Sequence, residues 1–371
     1  MPQWLYMRFI LAAAALSACS CAATATGSSA EKGRNAPLAA AAAEVRTLAP
    51  PGAALALVHH RQKQFVSVGG ERPSGSAVTS GTVFQIASLT KPFTAMVILR
   101  LAEQRRLALS DRAAKWLPWL PAEYGAVTLR HLLNHTSGVP RDLRRGNVDE
   151  FTIDEFRRRF LEAAPAFAPG DRWEYSNSGY TLLAMIAERA SGREFGRLLE
   201  ELIFRPAGMR RTRYRAPLVT APGRAAGHDW VEGRWRAAPP VYSGFGNSGI
   251  ESTSADLAAF AVALNERRLL SADSYREMLA PAVLASGERL SFPFRGAASS
   301  YGLGWFLTQS CGAQVAAHGG TIAGFSANLS WVPERRLAVA ALSNGKSGSD
   351  RIGLADKIAG AALRSALDCA A

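Results

Sequence analysis

The sequence predicts a mixed α/β domain that is split by an all-helical insertion. Strand patterns occur near both ends of the domain, helical patterns flank them, and the middle consists of helical segments separated by Pro and Gly loops. We place the domain at residues 39–371, with the α/β part at about 39–108 and 243–371 and the insertion at about 109–242. An Ala-, Ser- and Gly-rich linker over residues 26–38 precedes it.

The first elements of the domain are a short helix, a hairpin and a long buried helix. Residues 39–48 follow a helical pattern, and residues 53–58 and 65–68 are typical of two paired strands. Apolar residues recur at helical spacing from Ser88 to Leu107. Because proline is tolerated only in the first turn of a helix, Pro92 indicates that this helix begins near Ser88.

The later elements complete the α/β pattern. Helices are predicted over 152–163 and 180–190 inside the insertion, and over 255–264 and 350–367 after it. Strands are predicted over 302–308, 324–332 and 337–342.

The N-terminus has the pattern of a secretory signal over residues 1–25. Arg8 precedes an apolar stretch, residues 9–16, that is too short to span a bilayer, and small residues follow. Leu16-Ser17-Ala18-Cys19 resembles a bacterial lipobox, in which the cysteine becomes the lipidated first residue. The alternative is ordinary cleavage after Ala23-Thr24-Ala25. We therefore expect a periplasmic or secreted protein, with membrane attachment through a lipid on Cys19 in the first case.

The composition is that of a soluble globular domain with an excess of positive charge. Apolar residues make up 48% and charged residues 20%, and 43 Lys and Arg against 30 Asp and Glu give a net charge of +13. The arginine pairs lack interleaved aromatic residues and any nucleic-acid-binding signature. We interpret them as solvated faces and expect no nucleic-acid partner.

The cysteines and histidines indicate neither a metal site nor a cofactor. Cys19 and Cys21 lie in the leader, which leaves Cys311 and Cys369 for a disulfide in an oxidising compartment, although the sequence does not show whether they meet. His131 and His135 have helical spacing but lack the glutamate of a zinc-protease helix. We expect no catalytic metal and no cofactor.

The first candidate for chemistry is the tetrad Ser88-Leu89-Thr90-Lys91 at the predicted helix start. The spacing places the Ser88 hydroxyl and the Lys91 amine on one helix face, so that a neutral lysine could activate the serine. Burial favours the neutral amine, and the helix N-terminus favours developing negative charge. The alternative is a capping serine followed by a surface lysine.

Two further segments carry candidate site residues. Tyr175-Ser176-Asn177 lies in a loop before a helix, where Tyr175 could relay a proton and Asn177 could hold the lysine and a substrate carbonyl. His318-Gly319-Gly320-Thr321 precedes a predicted strand, where the glycines permit close approach of substrate and a following N–H could stabilise an oxyanion. Each has a structural alternative: a core tyrosine with a capping asparagine, and a Gly-Gly turn.

Taken together, these segments resemble the serine β-lactamase and penicillin-binding-protein superfamily, in the branch of the class C β-lactamases and their relatives. The resemblance implies a β-lactamase/transpeptidase-like fold with an antiparallel sheet flanked by N- and C-terminal helices. The matching segments are residues 84–91, 131–138, 169–170, 175–177, 301–305 and 318–320.

The resemblance also implies a role for each candidate residue. Ser88 would be acylated, Lys91 and Tyr175 would share proton transfer, and Asn177 would position them. The N–H groups of Ser88 and Thr321 would form the oxyanion hole, beside substrate-binding residues His318, Gly319 and Gly320. The substrate would be a small molecule or a peptide, with cell-wall peptidoglycan as one candidate.

One departure from the superfamily bears on the substrate. His318-Gly319-Gly320 stands where β-lactamases and penicillin-binding proteins usually carry Lys-Thr-Gly or Lys-Ser-Gly, so the cation that pairs with a substrate carboxylate is missing. The chain also contains the tripeptide Lys346-Ser347-Gly348, but we do not interpret it as this motif. It comes after the strand at 337–342, where the family has a surface loop. We therefore favour ester or amide hydrolysis of small acyl compounds over β-lactam turnover, with His318 donating a hydrogen bond to substrate.

Alternative functions remain open at this point. A D,D-carboxypeptidase or a β-lactamase proper uses the same residues, and a noncatalytic protein could use the cleft to hold penicillin or peptidoglycan. Retention of Ser88, Lys91 and Tyr175 favours an active enzyme. A Ser-His-Asp hydrolase is excluded because the chain has no G-x-S-x-G pentad. A P-loop is excluded because Ala340 stands at its upstream glycine position.

Overall fold

The structure is a computed structural model that describes residues 29–69, 77–143, 152–214, 223–239, 244–294, 297–347 and 353–368, with side chains from residue 36 onward. The chain divides into two units, Met1–Asn35 and Ala36–Ala371. The sheets and the candidate site belong to the second unit. The predicted signal peptide and Cys19 lie outside the described residues.

Helices occupy both ends and the middle of the described chain. In chain order they are α1 (Ser29–Leu48), α2 (Thr90–Glu103), α3 (Ala113–Trp116), α4 (Leu129–Leu133), α5 (Ile153–Leu161), α6 (Asn177–Ser191), α7 (Phe195–Leu199), α8 (Arg205–Ala207), α9 (Ser254–Asn265), α10 (Ala272–Met278) and α11 (Leu354–Ala366).

Strands come before and after the helices α2–α8, and a short strand lies next to these helices on each side in the chain. In chain order they are β1 (Gly52–His59), β2 (Gln62–Gly69), β3 (Phe84–Gln85), β4 (Arg213–Tyr214), β5 (His228–Val231), β6 (Arg234–Ala237), β7 (Ile250–Ser252), β8 (Phe292–Phe294), β9 (Ala297–Tyr301), β10 (Phe306–Ser310), β11 (Ala313–Ile322), β12 (Phe325–Val332), β13 (Leu337–Ser343) and β14 (Gly345–Lys346).

The main sheet has eight antiparallel strands in the order β2-β1-β13-β12-β11-β10-β9-β8. Successive side chains of β1 point to opposite faces of the sheet. Ala54 and Ala56 pack on one face with α2 and α9, whereas Ala53 and Leu55 pack on the other with α1 and α11. Both faces are therefore covered by helices, and the predicted mixed α/β fold with terminal helices is confirmed.

Several predicted elements are confirmed by this structure. The hairpin at 53–68 is β1 paired with β2, and the helix at 255–264 is α9, which Thr253 caps. The helices at 152–163 and 180–190 correspond to α5 and α6, and the last helix corresponds to α11, although its predicted start at residue 350 lies outside the described residues.

Three predictions about local structure are wrong. The predicted linker overlaps α1, which begins at Ser29 and continues through Pro37, because alanines favour helix and the buried Ala41 and Val45 anchor it. The predicted strand at 302–308 is a turn followed by β10, since Gly302 N donates to Trp305 O. The insertion is not all helical, because β5 and β6 form a hairpin inside it.

Candidate active site

Ser88 lies at the entrance to α2, as the sequence predicts. Residues Ala87–Leu89 form a single 3-10 turn, α2 follows from Thr90, and Pro92 falls in its first turn. Ala87 has a φ of 47°, in the left-handed region that costs about 1–2 kcal/mol for a residue with a Cβ. The buried surroundings hold this sharp turn, which leaves the half-buried Ser88 side chain at the head of the helix.

The Lys91 amine is fully buried and has three polar partners. Its Nζ lies 3.1 Å from Ser88 Oγ, 2.8 Å from Asn177 Oδ1 and 3.1 Å from Asn247 O. Burial lowers the pKa of Lys91 well below its ordinary value, and the charge of Asp142 opposes this only in part. The amine therefore has a strongly reduced tendency to hold its third proton.

The three partners of Lys91 also permit a neutral amine, the form that burial favours. Two of them, the Asn177 and Asn247 oxygens, are carbonyl oxygens that only accept hydrogen bonds, whereas Ser88 Oγ can donate as well. A neutral amine donates its two N–H groups to the carbonyl oxygens and turns its lone pair to the Ser88 hydroxyl. This is the geometry that a general base needs.

Asp142 determines which way the Asn177 amide points. Asn177 Nδ2 donates to Asp142 Oδ2 at 2.9 Å, and a carboxylate oxygen can only accept from it. The amide oxygen of Asn177 must therefore face Lys91. Asn177 is the first residue of α6, whose start is capped by the Ser176 hydroxyl through Gly179 N.

Tyr175 completes the group of side chains around Ser88. Its phenol shares a hydrogen bond with Ser88, and its ring lies 4.6 Å from Lys91 Nζ. Burial raises the pKa of Tyr175 above its ordinary value, with the Ser88 hydrogen bond and the charge of Arg141 opposing the rise. The phenol therefore keeps its proton at neutral pH and can pass on a proton only by giving one as it takes another.

The His318 side chain is buried. It lies within β11 and is 1% exposed; Nδ1 is 2.7 Å from Gly319 O and Nε2 is 3.1 Å from the Tyr301 hydroxyl. Because Gly319 O only accepts, Nδ1 carries the proton there. Both ring nitrogens are thus bonded within the protein, and a hydrogen bond from His318 to substrate stays a prediction.

The glycines after His318 are not in a turn but in the same strand. Gly319 faces α11, where an added Cβ would lie 2.5 Å from Asp356 Oδ1. Gly320 faces the start of α2, where an added Cβ would overlap Ile86 O and lie 2.9 Å from Ser88 N. Gly320 thus permits the strand to approach the main chain of the nucleophile.

The edge of β11 is open beside Ser88. Strand β10 pairs with β11 from Ala313 to Ala317, so among the described strands only β12 pairs with β11 beyond that point. The exposed Thr321 lies on this stretch and lines the same cleft as Ser88. This placement agrees with main-chain N–H groups of Ser88 and Thr321 as oxyanion donors.

The cleft around Ser88 has a volume of about 190 Å³ and a mixed lining. Its polar side includes Asp142, Asn177 and Asn247, and its apolar side includes Phe156 and Phe245. It is large enough for a small acyl group, and it opens beside the main-chain edge of β11.

Three residues of this region were not predicted as site residues from the sequence. Asp142 and the carbonyl of Asn247 give no pattern of their own, although the glycines around Asn247 signal close main-chain approach. His135, at a φ of 63°, packs its buried ring 4.5 Å from that of Tyr175 and accepts a hydrogen bond from Ser176 N. Burial lowers the pKa of His135 well below its ordinary value.

Other predicted features lie away from the cleft. Lys346 belongs to β14, which pairs with β5, and it does not line the Ser88 cleft. Cys311 is disulfide-bonded, and Cys369 lies outside the described residues. Within the described chain, no cluster of His, Cys, Asp and Glu is arranged to hold a metal ion, and no helix has the length and apolarity needed to cross a membrane.

These features define the S-x-x-K class of serine site. They are a serine at a helix entrance, a buried lysine three residues later, a neutral tyrosine and an open strand edge. The profile of the Beta-lactamase family matches residues 40–363. The chain belongs to the Beta-lactamase family.

Curated relatives carry several different activities in their names. A penicillin-binding protein of Bacillus subtilis (strain 168) is 32% identical over 314 residues, which are 78% of this chain and 65% of the relative. Esterase EstB of Burkholderia gladioli is 33% identical over 159 residues, 38% of this chain and 40% of that protein. The chain thus spans less than two thirds of the length of either relative.

Solved structures share the fold over most of the chain. The octameric penicillin-binding protein homologue from Pyrococcus abyssi has a TM-score of 0.76 at 25% identity, covering 90% of this chain and 77% of that one. The D-amino acid amidase from Ochrobactrum anthropi SV3 has a TM-score of 0.77 at 24% identity, covering 91% and 98%, and supports the fold alone.

Proposed function

We propose that the protein is a serine hydrolase that cleaves esters or amides through an acyl-enzyme on Ser88. The observation that carries this proposal is the set of partners around the buried Lys91 amine: two carbonyl oxygens, which can only accept hydrogen bonds, and the Ser88 hydroxyl at 3.1 Å, which can also donate to a neutral amine. A buried lysine held in this way is a base rather than a fixed cation.

In the proposed reaction, Ser88 Oγ attacks the substrate carbonyl while Lys91 Nζ takes the hydroxyl proton. The main-chain N–H groups of Ser88 and Thr321 stabilise the oxyanion. Collapse of this intermediate expels the alcohol or amine, which receives a proton through Tyr175 and Lys91. A water molecule then attacks the acyl-enzyme, giving up its proton along the same path and releasing the acid and free Ser88.

We favour small acyl esters and amides over β-lactams as substrates. The lysine that pairs with a β-lactam carboxylate in the family is replaced by His318, which is buried and bonded to Tyr301 and Gly319. The names of the relatives, which include an esterase and a D-aminopeptidase, agree with this preference. Peptidoglycan-derived peptides form the next candidate class, since other relatives are penicillin-binding proteins.

We also propose that the protein is exported and anchored through a lipid on Cys19. The support is the leader sequence, with Arg8, the apolar stretch after it and Leu16-Ser17-Ala18-Cys19. Expression with labelled palmitate tests this proposal: label should appear in the membrane fraction and disappear in Cys19→Ser. Label-free secretion of a chain cleaved after Ala25 would favour the ordinary signal instead.

The enzymatic proposal is tested with the mature protein and Ser88→Ala. Ester release from p-nitrophenyl acetate and butyrate and covalent labelling by fluorescent penicillin are followed together with intact mass. We expect ester hydrolysis without penicillin turnover, and no ester hydrolysis in the variant. Penicillin labelling of Ser88 with slow release would favour a D,D-peptidase or β-lactamase, and absence of any Ser88-dependent reaction would refute the hydrolase proposal.

A further inference from the structure

His135 is a buried titratable residue that takes no part in the proposed reaction. It is 1% exposed, and within the described chain its Nε2 atom has no hydrogen-bond partner. Four aromatic rings lie around the imidazole at centroid distances of 4.5 to 6.1 Å, those of Tyr175, Tyr180, Tyr301 and Trp173. The polar contact of the imidazole is therefore made through Nδ1.

The hydrogen bonds of His135 hold the main chain on both sides of Tyr175. Ser176 N donates to His135 Nδ1 at 3.1 Å, and Glu174 N donates to His135 O at 3.0 Å. The imidazole also packs against the Tyr175 ring, at 4.5 Å between centroids and 38° between planes. One residue thus contacts Tyr175 itself and bonds to both of its neighbours in the chain.

The main chain at His135 has a conformation that the turn alone would not assign to histidine. Helix α4 ends in a Schellman motif, in which Thr136 N donates to His131 O at 2.9 Å and His135 N to Leu132 O at 3.5 Å. His135 is the left-handed residue of this motif, at a φ of 63°, where glycine or asparagine is usual because a Cβ is disfavoured. Glycine would make the turn with less strain, so what histidine adds is the imidazole.

The contact with Ser176 requires a neutral imidazole. An imidazole accepts a hydrogen bond only at a nitrogen that carries no proton, so Nδ1 is the acceptor and Nε2 holds the proton. Burial lowers the pKa of His135 well below its ordinary value and so favours this neutral form. The acceptor is therefore present at neutral pH.

We propose that His135 is a positioning residue, whose Nδ1 acceptor holds the segment that carries Tyr175 so that the phenol meets Ser88 and protonates the leaving group. The inference rests on the proposed acyl-enzyme function and adds a residue to its proton transfer. Tyr175 precedes α6 and lies in a segment without helix or strand, so no regular element of its own fixes the phenol. A displacement of about 1 Å at such a group costs roughly a hundredfold in rate.

Two butyrate esters with different leaving groups test this inference. p-Nitrophenolate leaves without a proton, whereas the ethoxide of ethyl butyrate must be protonated as it leaves. His135→Phe keeps a ring and removes the acceptor. We expect kcat/KM for ethyl butyrate to fall roughly a hundredfold in this variant and that for p-nitrophenyl butyrate to fall less than about tenfold. A merely structural loss of active enzyme would lower both values equally.

A double-mutant cycle tests whether His135 acts through Tyr175. In Tyr175→Phe the proton donor is already absent, so the addition of His135→Phe should leave the ratio of the two kcat/KM values unchanged. Effects of the two substitutions that multiply would show that His135 acts by another route.

Three further variants separate the acceptor from the turn. His135→Asn suits the left-handed conformation and places an acceptor oxygen near the position of Nδ1, so it should keep the substrate ratio near that of the wild type. His135→Gly suits the turn but has no acceptor, so it should repeat the effect of His135→Phe even if a phenylalanine does not fit. His60→Phe is the matched control, because His60 is exposed and has a φ of 56°.

The outcomes distinguish the two proposals. Equal losses for both esters in His135→Phe and His135→Gly, multiplying effects in the cycle, or the same loss in His135→Asn as in His135→Gly would overturn the inference and leave the hydrolase proposal in place. If the wild type cleaves neither ester in a Ser88-dependent way, both proposals are overturned.

Discussion

The two walls of the cleft contribute to the site in different ways. The helical wall, at the starts of α2 and α6, supplies side chains: Ser88, Lys91 and Asn177 are joined by hydrogen bonds. The strand wall, β11, supplies main chain: Gly320 lies against Ser88 N, and His318 is turned away into contacts with Tyr301.

The two walls therefore differ in the structural property on which the proposed activity depends. On the helical wall the function depends on titratable groups in a buried place, so an isosteric change can remove the chemistry while the shape survives. On the strand wall the function depends on how closely two main chains approach, so a single added methyl group can matter more than a change of side-chain polarity.

The largest effect is expected on the helical wall, from Lys91→Met. The substitution keeps an unbranched buried chain but removes the base, so kcat/KM for p-nitrophenyl butyrate should fall by roughly two to four orders of magnitude. Circular dichroism and thermal unfolding should report a folded protein. The matched control is Lys115→Met, whose amine is exposed and pairs with Asp111. Substantial activity in Lys91→Met would exclude this lysine as the base.

On the strand wall, Gly320→Ala should reduce activity by roughly a hundredfold. The added Cβ would meet the main chain at Ile86 and Ser88, so β11 must move away from the nucleophile, and a shift of about 1 Å at an active site has an effect of this size. Stability should fall by about 1–3 kcal/mol. Gly360→Ala in α11, where the nearest atom is the flexible end of Arg364, is the control. Wild-type kinetics in Gly320→Ala would show that close approach is not required.

We also expect kcat/KM to depend on pH through Lys91 on the helical wall. Since Lys91 must be neutral to accept the Ser88 proton, kcat/KM should fall about tenfold per pH unit below its lowered pKa. Tyr175, whose pKa is raised, should stay protonated and add no limb near neutrality.

The titration of Lys91 also makes the stability of the protein depend on pH. Between the lowered pKa of Lys91 and its ordinary value, the unfolded chain holds a proton that the folded chain lacks, so the free energy of unfolding rises with pH in this window. Comparison of wild type with Lys91→Met over this range measures the slope. If kcat/KM instead began to fall near the ordinary pKa of a lysine, the expected pH dependence of activity and that of stability would both be contradicted.

The smallest effect is expected from His318→Gln. Because His318 is buried and bonded within the protein, the change should lower stability by about 1–3 kcal/mol and alter kcat/KM by less than about tenfold. A large loss of activity with unchanged thermal unfolding would instead mean that this imidazole contacts the substrate.

The sequence predicted the helical wall better than the strand wall. A three-residue spacing on a helix places Ser88 beside Lys91 whatever the rest of the chain does. The orientation of His318 depends on how β11 is paired with its neighbours, which no local pattern specifies. Asp142 was missed because an isolated acidic residue in a loop has many possible roles.

The hairpin β5–β6 was missed despite a local signal. Glu232 and Gly233 have φ values of 50° and 75°, and Val231 pairs with Arg234, as in a two-residue turn of type I′. Only the glycine marks this turn in the sequence, and the flanking strands are mostly exposed, so they lack the apolar alternation on which strand prediction depends.

The partners of Lys91 come from three separate places in the chain: the entrance to α2, the first residue of α6 and the segment before β7. If these places part by the width of a water molecule, the amine is hydrated, its pKa returns towards that of an ordinary lysine, and it takes up a proton. Ser88 is then an unreactive alcohol. The activity of Ser88 therefore depends on complete packing: an incompletely folded chain carries the nucleophile but cannot use it.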